Sequence, residues 1–405
     1  MAGKTAITDF VVIIPLMARY IEGEKHLEET LAESTARAEK YFPGARFVSV
    51  YSHKERQMVI VPIGYAMSPR FGHAVDYGSG VFEGSSAVVN ERTGKPGIIL
   101  LSERNARLFR RSLPARGYTA PIPEEEFGQA MIDLIKANGM GLFRHPDNKT
   151  PGFVRAYIRP SIHPAFLSGF GISMRPDYPI DAAIIAWAWP DYLNPTLMQR
   201  GGVCAVTGLT RSFPITGKHA SNYGAAAMDG ALARKIGADE LLYLAPYLID
   251  KDGHRYFPDP NDLTAKLRDG VIADGPGEEC VALTADQKTL VYAPMRVNRL
   301  GGTVLQYIID HLAKNIGLDC VEGDISLHDL TAGKYAGLAM VGNAVKVTPI
   351  RRIDLYNGGV TQQIELFAEG KIPENLESLR VRWEQETRGL IDPSHPSLLT
   401  EVPRV

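Results

Sequence analysis

The sequence predicts a mixed α/β (α+β) protein of two domains behind an N-terminal extension. Three observations carry this reading. Runs with two-residue alternation interleave with runs at helical spacing, a Pro/Asn-rich patch at 190–195 interrupts the pattern, and a strand signal restarts at Val203. The 405 residues, 45% hydrophobic and 22% charged, are enough for ordinary buried cores, and such a length corresponds to two or three domains.

Taken in order, Phe10 to Met17 is an apolar run that contains Pro15 and follows Asp9. It is too short to span a bilayer and lacks the basic start of a signal peptide, so it reads as a strand or docking segment. The charged stretch Gly23 to Lys40 reads as a helix that Phe42-Pro43-Gly44 stops. Phe47 to Ile63 alternates on both sides of the charged turn His53 to Arg56, the pattern of a hairpin. Strands fit Gly80 to Asn90 and Gly97 to Leu101, and helical spacing follows in Asn105 to Ala115 and Glu124 to Asn138, the second closed by Gly139. Phe153 to Ile158 and Asp181 to Trp189 read as buried strands. Beyond the Pro/Asn patch the pattern predicts helices at Asn222 to Lys235 and Gly302 to Asn315, with strands at Val203 to Gly208, Glu240 to Ile249, Thr289 to Ala293 and Leu338 to Val341. The expected organisation is an extension at 1–46, a small domain at 47–190, a linker at 191–200 and a large domain at 201–405.

Composition narrows the partners. Lys and Arg total 44 against 46 Asp and Glu, mixed along the chain, so there is no electrostatic footprint for nucleic acid or an anionic membrane. Cys204, Cys280 and Cys320 are odd in number and far apart, which argues against a disulfide framework or a zinc site and fits a cytoplasmic protein. Gly78-Ser79-Gly80-Val81-Phe82-Glu83-Gly84 has the spacing GxGxxxG and no acidic residue closing a βαβ unit, so it is not a dinucleotide loop. In Asp250-Lys251-Asp252-Gly253 the glycine comes too early for a calcium loop, and Asp252-Gly253 reads as a tight turn.

The most informative segment is TGKHASNYGAAAMDGALARKIGADE, in which Lys218 stands just ahead of a Gly/Ala-rich helical run. A lone lysine is ordinarily a solvated surface charge. A lysine there, with Tyr223 about a turn further on, can instead form a Schiff base beside a phenol.

Eight fragments resemble, in order, the motifs of the fold-type IV (class IV) pyridoxal-phosphate aminotransferases, and within them the branched-chain aminotransferases. DYGSGVFEGSSAV resembles the element HYGxxVFEGxRxY, SERNARLFRRSL the arginine-bearing helix, AYIRPSI the YIRP strand, and AWAWPDYL the strand entering the interdomain loop. GKHASNY resembles the lysine segment, ADGPGEE the SEGxGEN segment, MRVNR the PGITR turn, and VGNAVKVTPI the SGTAxExTPV hairpin. The resemblance implies a large domain that binds pyridoxal 5'-phosphate through Lys218, which also moves the proton between substrate and cofactor. It implies Arg107 for the phosphate, helped by Val297, Asn298 and Asn343, then Asp274 for the ring nitrogen and Tyr223 for the phenolic oxygen. The substrate pocket it implies comprises Tyr77, Phe82, Gly84, Tyr157, Arg159, Trp189, Tyr192 and the backbone at Asn343-Ala344, a set that suits an apolar amino acid with a paired carboxylate. A homodimer is implied too, since the family completes its site with a loop from the partner subunit.

The chain also departs from the pattern. Both hydroxyl positions of the phosphate cup are asparagine, Arg296 replaces a glycine, Asp274 is one methylene shorter than the family glutamate, and Ser86 stands where the family has an arginine. The expected activity is transfer of an amino group between an apolar amino acid and a 2-oxo acid. These departures keep open a lyase, an amine or D-amino acid transaminase on the same fold, or a degenerate homologue retained as a binding protein.

Overall fold

Two large sheets collect the strands that the alternation anticipates, in a computed structural model that describes residues 31–65, 78–165, 179–211 and 217–403. Phe10 to Met17 and Tyr77 lie outside the described residues. The first sheet has eight strands; at its centre Ala156–Pro164 and Ile180–Ala188 run antiparallel, and the hairpin Phe47–Ser52/Gln57–Pro62 extends one side. Ala156, Ile158 and Ile162 are buried on a common face, as period two requires.

Helix Glu124–Asn138 covers this sheet. Its first turn carries Glu124, Glu125 and Glu126, which favour the positive end of the helix dipole, and Gly139 ends it at φ +71°. Phe127, Met131, Leu134 and Ile135 share one face at helical spacing and are no more than 1% exposed, so this face fixes the helix to the core. At its end the Asn138 side chain accepts the Arg46 and Phe47 N–H groups at 2.6 and 2.9 Å, tying the hairpin's entry to the helix.

The second sheet has ten strands, with Gly202–Thr210 parallel to both Lys346–Tyr356 and Glu240–Leu244. Tyr335–Gly342 and Lys346–Tyr356 form a hairpin whose tip is Asn343 to Val345. Asp252-Gly253 is the tight turn expected, with Gly253 at φ +86° between the paired strands Leu248–Ile249 and Arg255–Tyr256.

Several elements differ from the sequence pattern. Leu100 adopts φ +50°, turning the chain sharply out of strand Pro96–Ile99, so the next helix begins at Leu101, four residues before the periodicity resolves it. That helix runs on through a π turn, Leu108–Ser112, and the helix starting at Thr303 contains another, Ile308–Leu312. The last strand, Leu399–Glu401, pairs with Pro96–Ile99, so the end of the chain rejoins the first sheet although 201–405 was expected to lie in the large domain. Among the described residues no helix is long and apolar enough to cross a membrane.

Candidate active site

Lys218 is fixed where the two sheets meet. Phe82 N donates to Lys218 O at 3.1 Å and Ala220 N donates to Gly80 O at 2.8 Å, so the first sheet holds the lysine segment by its backbone. Ser112 Oγ accepts the Lys218 N–H at 3.0 Å. Helix Ser221–Lys235 starts three residues later and carries Tyr223 in its first turn, where Lys218 Nζ donates to the phenol oxygen at 2.5 Å. Burial pulls the Lys218 amine down to about 8, with Arg107 adding to the effect and Glu83 opposing it. Burial pushes the Tyr223 phenol up to about 12, so it keeps its proton at neutral pH.

A cavity opens beside this pair. Arg107 on its wall is clamped by Glu83 through two hydrogen bonds, Nε to Oε1 at 2.7 Å and Nη2 to Oε2 at 2.6 Å. Burial alone would lower the guanidinium, and Glu83 more than reverses this. Arg104, 2% exposed, donates to Ile99 O and Gly84 O and so anchors the strand break at Gly84. A Cβ at Gly84 would collide with the Tyr157 hydroxyl, which explains a glycine in contact with that ring.

Arg107 Nη1 also donates to Gly301 O at 3.3 Å, so a helix N-terminus stands directly beside the guanidinium. Glu279 accepts the N–H groups of Gly301 and Gly302 at 2.9 and 2.6 Å and is paired with Arg299 at 2.6 Å. The helix begins one residue later, and Thr303, Val304 and Leu305 line the cavity. The N–H groups of a first helical turn have no intrahelical acceptor, so they suit an anion. Asn343 lines the same cavity, and its Nδ2 has no acceptor among the described residues.

Of the residues expected from sequence, Arg107, Lys218, Tyr223, Gly84, Tyr157, Asn343 and Ala344 line this one cavity. Phe82 packs edge-on to Tyr223 at 4.9 Å, and Arg159 lies 4.5 Å above the Phe82 ring while donating to the Tyr157 hydroxyl at 3.0 Å. Trp189 stands behind Tyr157 at 4.6 Å, and Tyr192 behind Trp189 at 6.0 Å, its hydroxyl donating to Glu240 at 3.1 Å.

Three expected residues fall elsewhere. Val297 and Asn298 do not line the cavity: Met295–Val297 is a 3₁₀ turn, Val297 is fully buried in a separate cluster with Tyr247 and Val271, and Asn298 caps the turn at φ +71°. The helix N-terminus that lines the cavity comes five residues later, at the start of the helix that the sequence pattern places at Gly302 to Asn315. Asp274 is also absent from the lining, held behind Arg211, whose Nε donates to both carboxylate oxygens at 3.0 and 2.9 Å. Burial pushes the Asp274 carboxyl up to about 7 against the pull of Arg211. Arg211 and Glu278 line the cavity, and neither was anticipated. Burial beside Glu240 drives the Glu278 carboxyl well above its usual range, and its Oε1 has no partner among the described residues.

This architecture is the fold of the type IV aminotransferases. The chain is similar to the branched-chain amino acid aminotransferase of Escherichia coli, at 22% identity and TM-score 0.67 over 89% of this chain and 100% of that one. It is similar also to the branched-chain amino acid aminotransferase of Thermobaculum terrenum in its PLP-form, at 18% identity and TM-score 0.66 over 89% and 99%. The branched-chain aminotransferase of Thermoproteus uzoniensis with norvaline gives 22% identity and TM-score 0.66 over 88% and 99%. Among curated sequences the "Putative branched-chain-amino-acid aminotransferase" of Methanocaldococcus jannaschii is 23% identical over 320 residues, 77% of this chain and 91% of that protein. No protein-family model matches the chain.

Proposed function

We propose that this chain is a pyridoxal-phosphate-dependent aminotransferase that moves an amino group between an apolar amino acid, of the branched-chain kind, and a 2-oxo acid. The observation that carries the reading is a buried lysine with a lowered pKa, hydrogen-bonded to a phenol, in a cavity lined also by Arg107 and a helix N-terminus. The residues present fit the cofactor: Arg107, the first helical N–H groups at Thr303 to Leu305 and the unpartnered Asn343 Nδ2 suit a phosphate dianion. When bound, pyridoxal phosphate supplies an aldehyde that condenses with amines and a ring that withdraws electrons from the substrate α-carbon.

The chain's own groups supply the rest. Lys218 Nζ, partly neutral at neutral pH, is the attachment point and, once released, the base for the α-proton. Tyr223 holds that amine in place through its hydroxyl. The Arg211–Asp274 pair is the candidate partner for the ring nitrogen, and the row Phe82, Tyr157 and Trp189 offers an apolar side chain a surface to lie on. A homodimer accompanies this reading, and light scattering tests it.

The test is titration of the purified chain with pyridoxal phosphate, then borohydride reduction and peptide mass analysis. A visible absorption band and a phosphopyridoxyl adduct on Lys218 are expected, with a capture rate that climbs with pH and levels off above about 8. No band and no adduct would defeat the proposal. Gly84→Ala, which pushes on Tyr157, is expected to raise KM for the amino donor by about tenfold while cofactor affinity holds.

Ser86 favours a second reading, an enzyme of wider amine range, because it removes a cation from the pocket. A screen of donors with and without a 2-oxo acid separates the two, and oxo acid released without an acceptor would mark a lyase.

A further inference from the structure

We propose that Ser86 is a positioning residue that orients the Asn343 amide as a donor to the phosphate of the bound cofactor. This rests on the pyridoxal-phosphate reading above and goes beyond it in naming how two departures from the family pattern work as one.

Ser86 lies on strand Ser85–Val89, opposite Tyr157, and is 0% exposed. Its hydroxyl donates to Asn343 Oδ1 at 3.0 Å, across the junction between the two sheets. With that oxygen taken, the group the side chain has left is the Nδ2 amide, buried and without an acceptor among the described residues. A buried donor left unpaired is costly, and Asn343 lines the cavity, so the amide calls for an acceptor that arrives with a ligand.

The backbone of the same hairpin tip is treated alike. Arg155 Nη1 donates to Asn343 O at 2.5 Å and Nη2 to Ala344 O at 2.6 Å. All three oxygens of the Asn343-Ala344 pair therefore accept from Ser86, on the first sheet, and Arg155, one residue ahead of its strand Ala156–Pro164. The tip keeps only N–H groups to offer, which suits an anion and not a cation. Arg107 and the helix start at Thr303 line the same cavity, so the anion with the most complementary surroundings is the phosphate.

An arginine at position 86 would act on a ligand directly, as a charge. A serine acts through its neighbour instead, and an asparagine at 343 gives it an amide to orient. The two replacements make one hydrogen-bonded unit.

The experiment is absorbance titration of the cofactor-depleted full-length chain with pyridoxal phosphate and, separately, with pyridoxal, which has no phosphate. Ser86→Ala is expected to weaken pyridoxal phosphate about tenfold and leave pyridoxal unchanged, and Ser86→Thr, which keeps the hydroxyl, to restore wild-type affinity. Asn343→Asp, which sets a carboxylate against the phosphate, is expected to weaken pyridoxal phosphate further and again spare pyridoxal; it carries the test should Ser86→Ala fold poorly. Equal affinity of Ser86→Ala and wild type for both ligands, or equal weakening for both, overturns the proposal. A wild-type chain that captures neither ligand overturns the cofactor reading, and this inference with it.

Discussion

Lys218→Ala is expected to lower turnover by more than about 10⁴-fold, because on the proposed function one substitution removes both the nucleophile that tethers the cofactor and the base that moves the α-proton. The phosphate contacts proposed above do not involve Lys218, so pyridoxal phosphate should still bind, without a covalent adduct after borohydride. A small primary amine added to the medium should restore part of the activity, since it replaces the lost Nζ in the space left beside Tyr223. The same variant has a stability signature. Lys218 titrates at about 8 in the folded chain against 10.5 in the unfolded one, so burial opposes its charge. A base with a depressed folded pKa contributes no penalty above the unfolded value; the penalty grows as pH falls from 10.5 to 8 and is complete below that. Lys218→Ala should therefore melt higher than wild type at pH 7, by a margin that shrinks towards pH 10.5. A margin that does not change with pH would mean the lysine is solvated in the folded chain. Turnover lost only severalfold would remove Lys218 from the chemistry.

What the sequence disclosed, and what it hid, follows from how far each interaction reaches. Lys218 and Tyr223 are legible because they lie only five residues apart, and helix Glu124–Asn138 is legible because its buried face repeats locally. That the helix start at Thr303 lines the cavity, and Val297 and Asn298 do not, is not encoded in periodicity, because Asn298, at φ +71°, turns the chain out of a 3₁₀ turn before the helix begins. Leu100 at φ +50° hid the start of another helix in the same way. Arg211 meets Asp274 across 63 positions, and Leu399–Glu401 pairs with a strand 300 residues earlier; neither contact leaves a local trace. Ser86 and Asn343 were both visible as departures, and only the fold made them neighbours.

Arg211→Met is expected to cost the chain about 1.4 kcal/mol more at pH 8 than at pH 6, the most that one proton held by Asp274 contributes over that step. Side chains of Arg211 and Asp274 are 4% and 0% exposed, so the pair is buried together and Asp274 itself is closed to solvent. Burial pulls Arg211 down and Asp274 beside it more than compensates, yet Asp274 itself is pushed up to about 7, because complete burial of a carboxylate outweighs one guanidinium. A carboxyl whose folded pKa lies above its unfolded 3.8 favours the folded state below that value and loses this contribution as pH climbs to the folded pKa. In wild type the loss ends near pH 7; without Arg211 the folded pKa moves higher and the loss continues through pH 8. The gap between wild type and variant should thus be small at pH 6, where Asp274 is largely protonated in both, and widen to pH 8. Urea unfolding at the two pH values measures it. Asp274→Asn in the Arg211→Met background removes the stranded charge and should recover much of the gap at pH 8, while methionine keeps apolar contact with the Tyr243 ring that the guanidinium faces at 5.0 Å. A gap independent of pH, or a double variant no better than the single one, would mean that Arg211 stabilises the chain through the carbonyls of Gly275 and Pro276, which it also donates to, and not through Asp274.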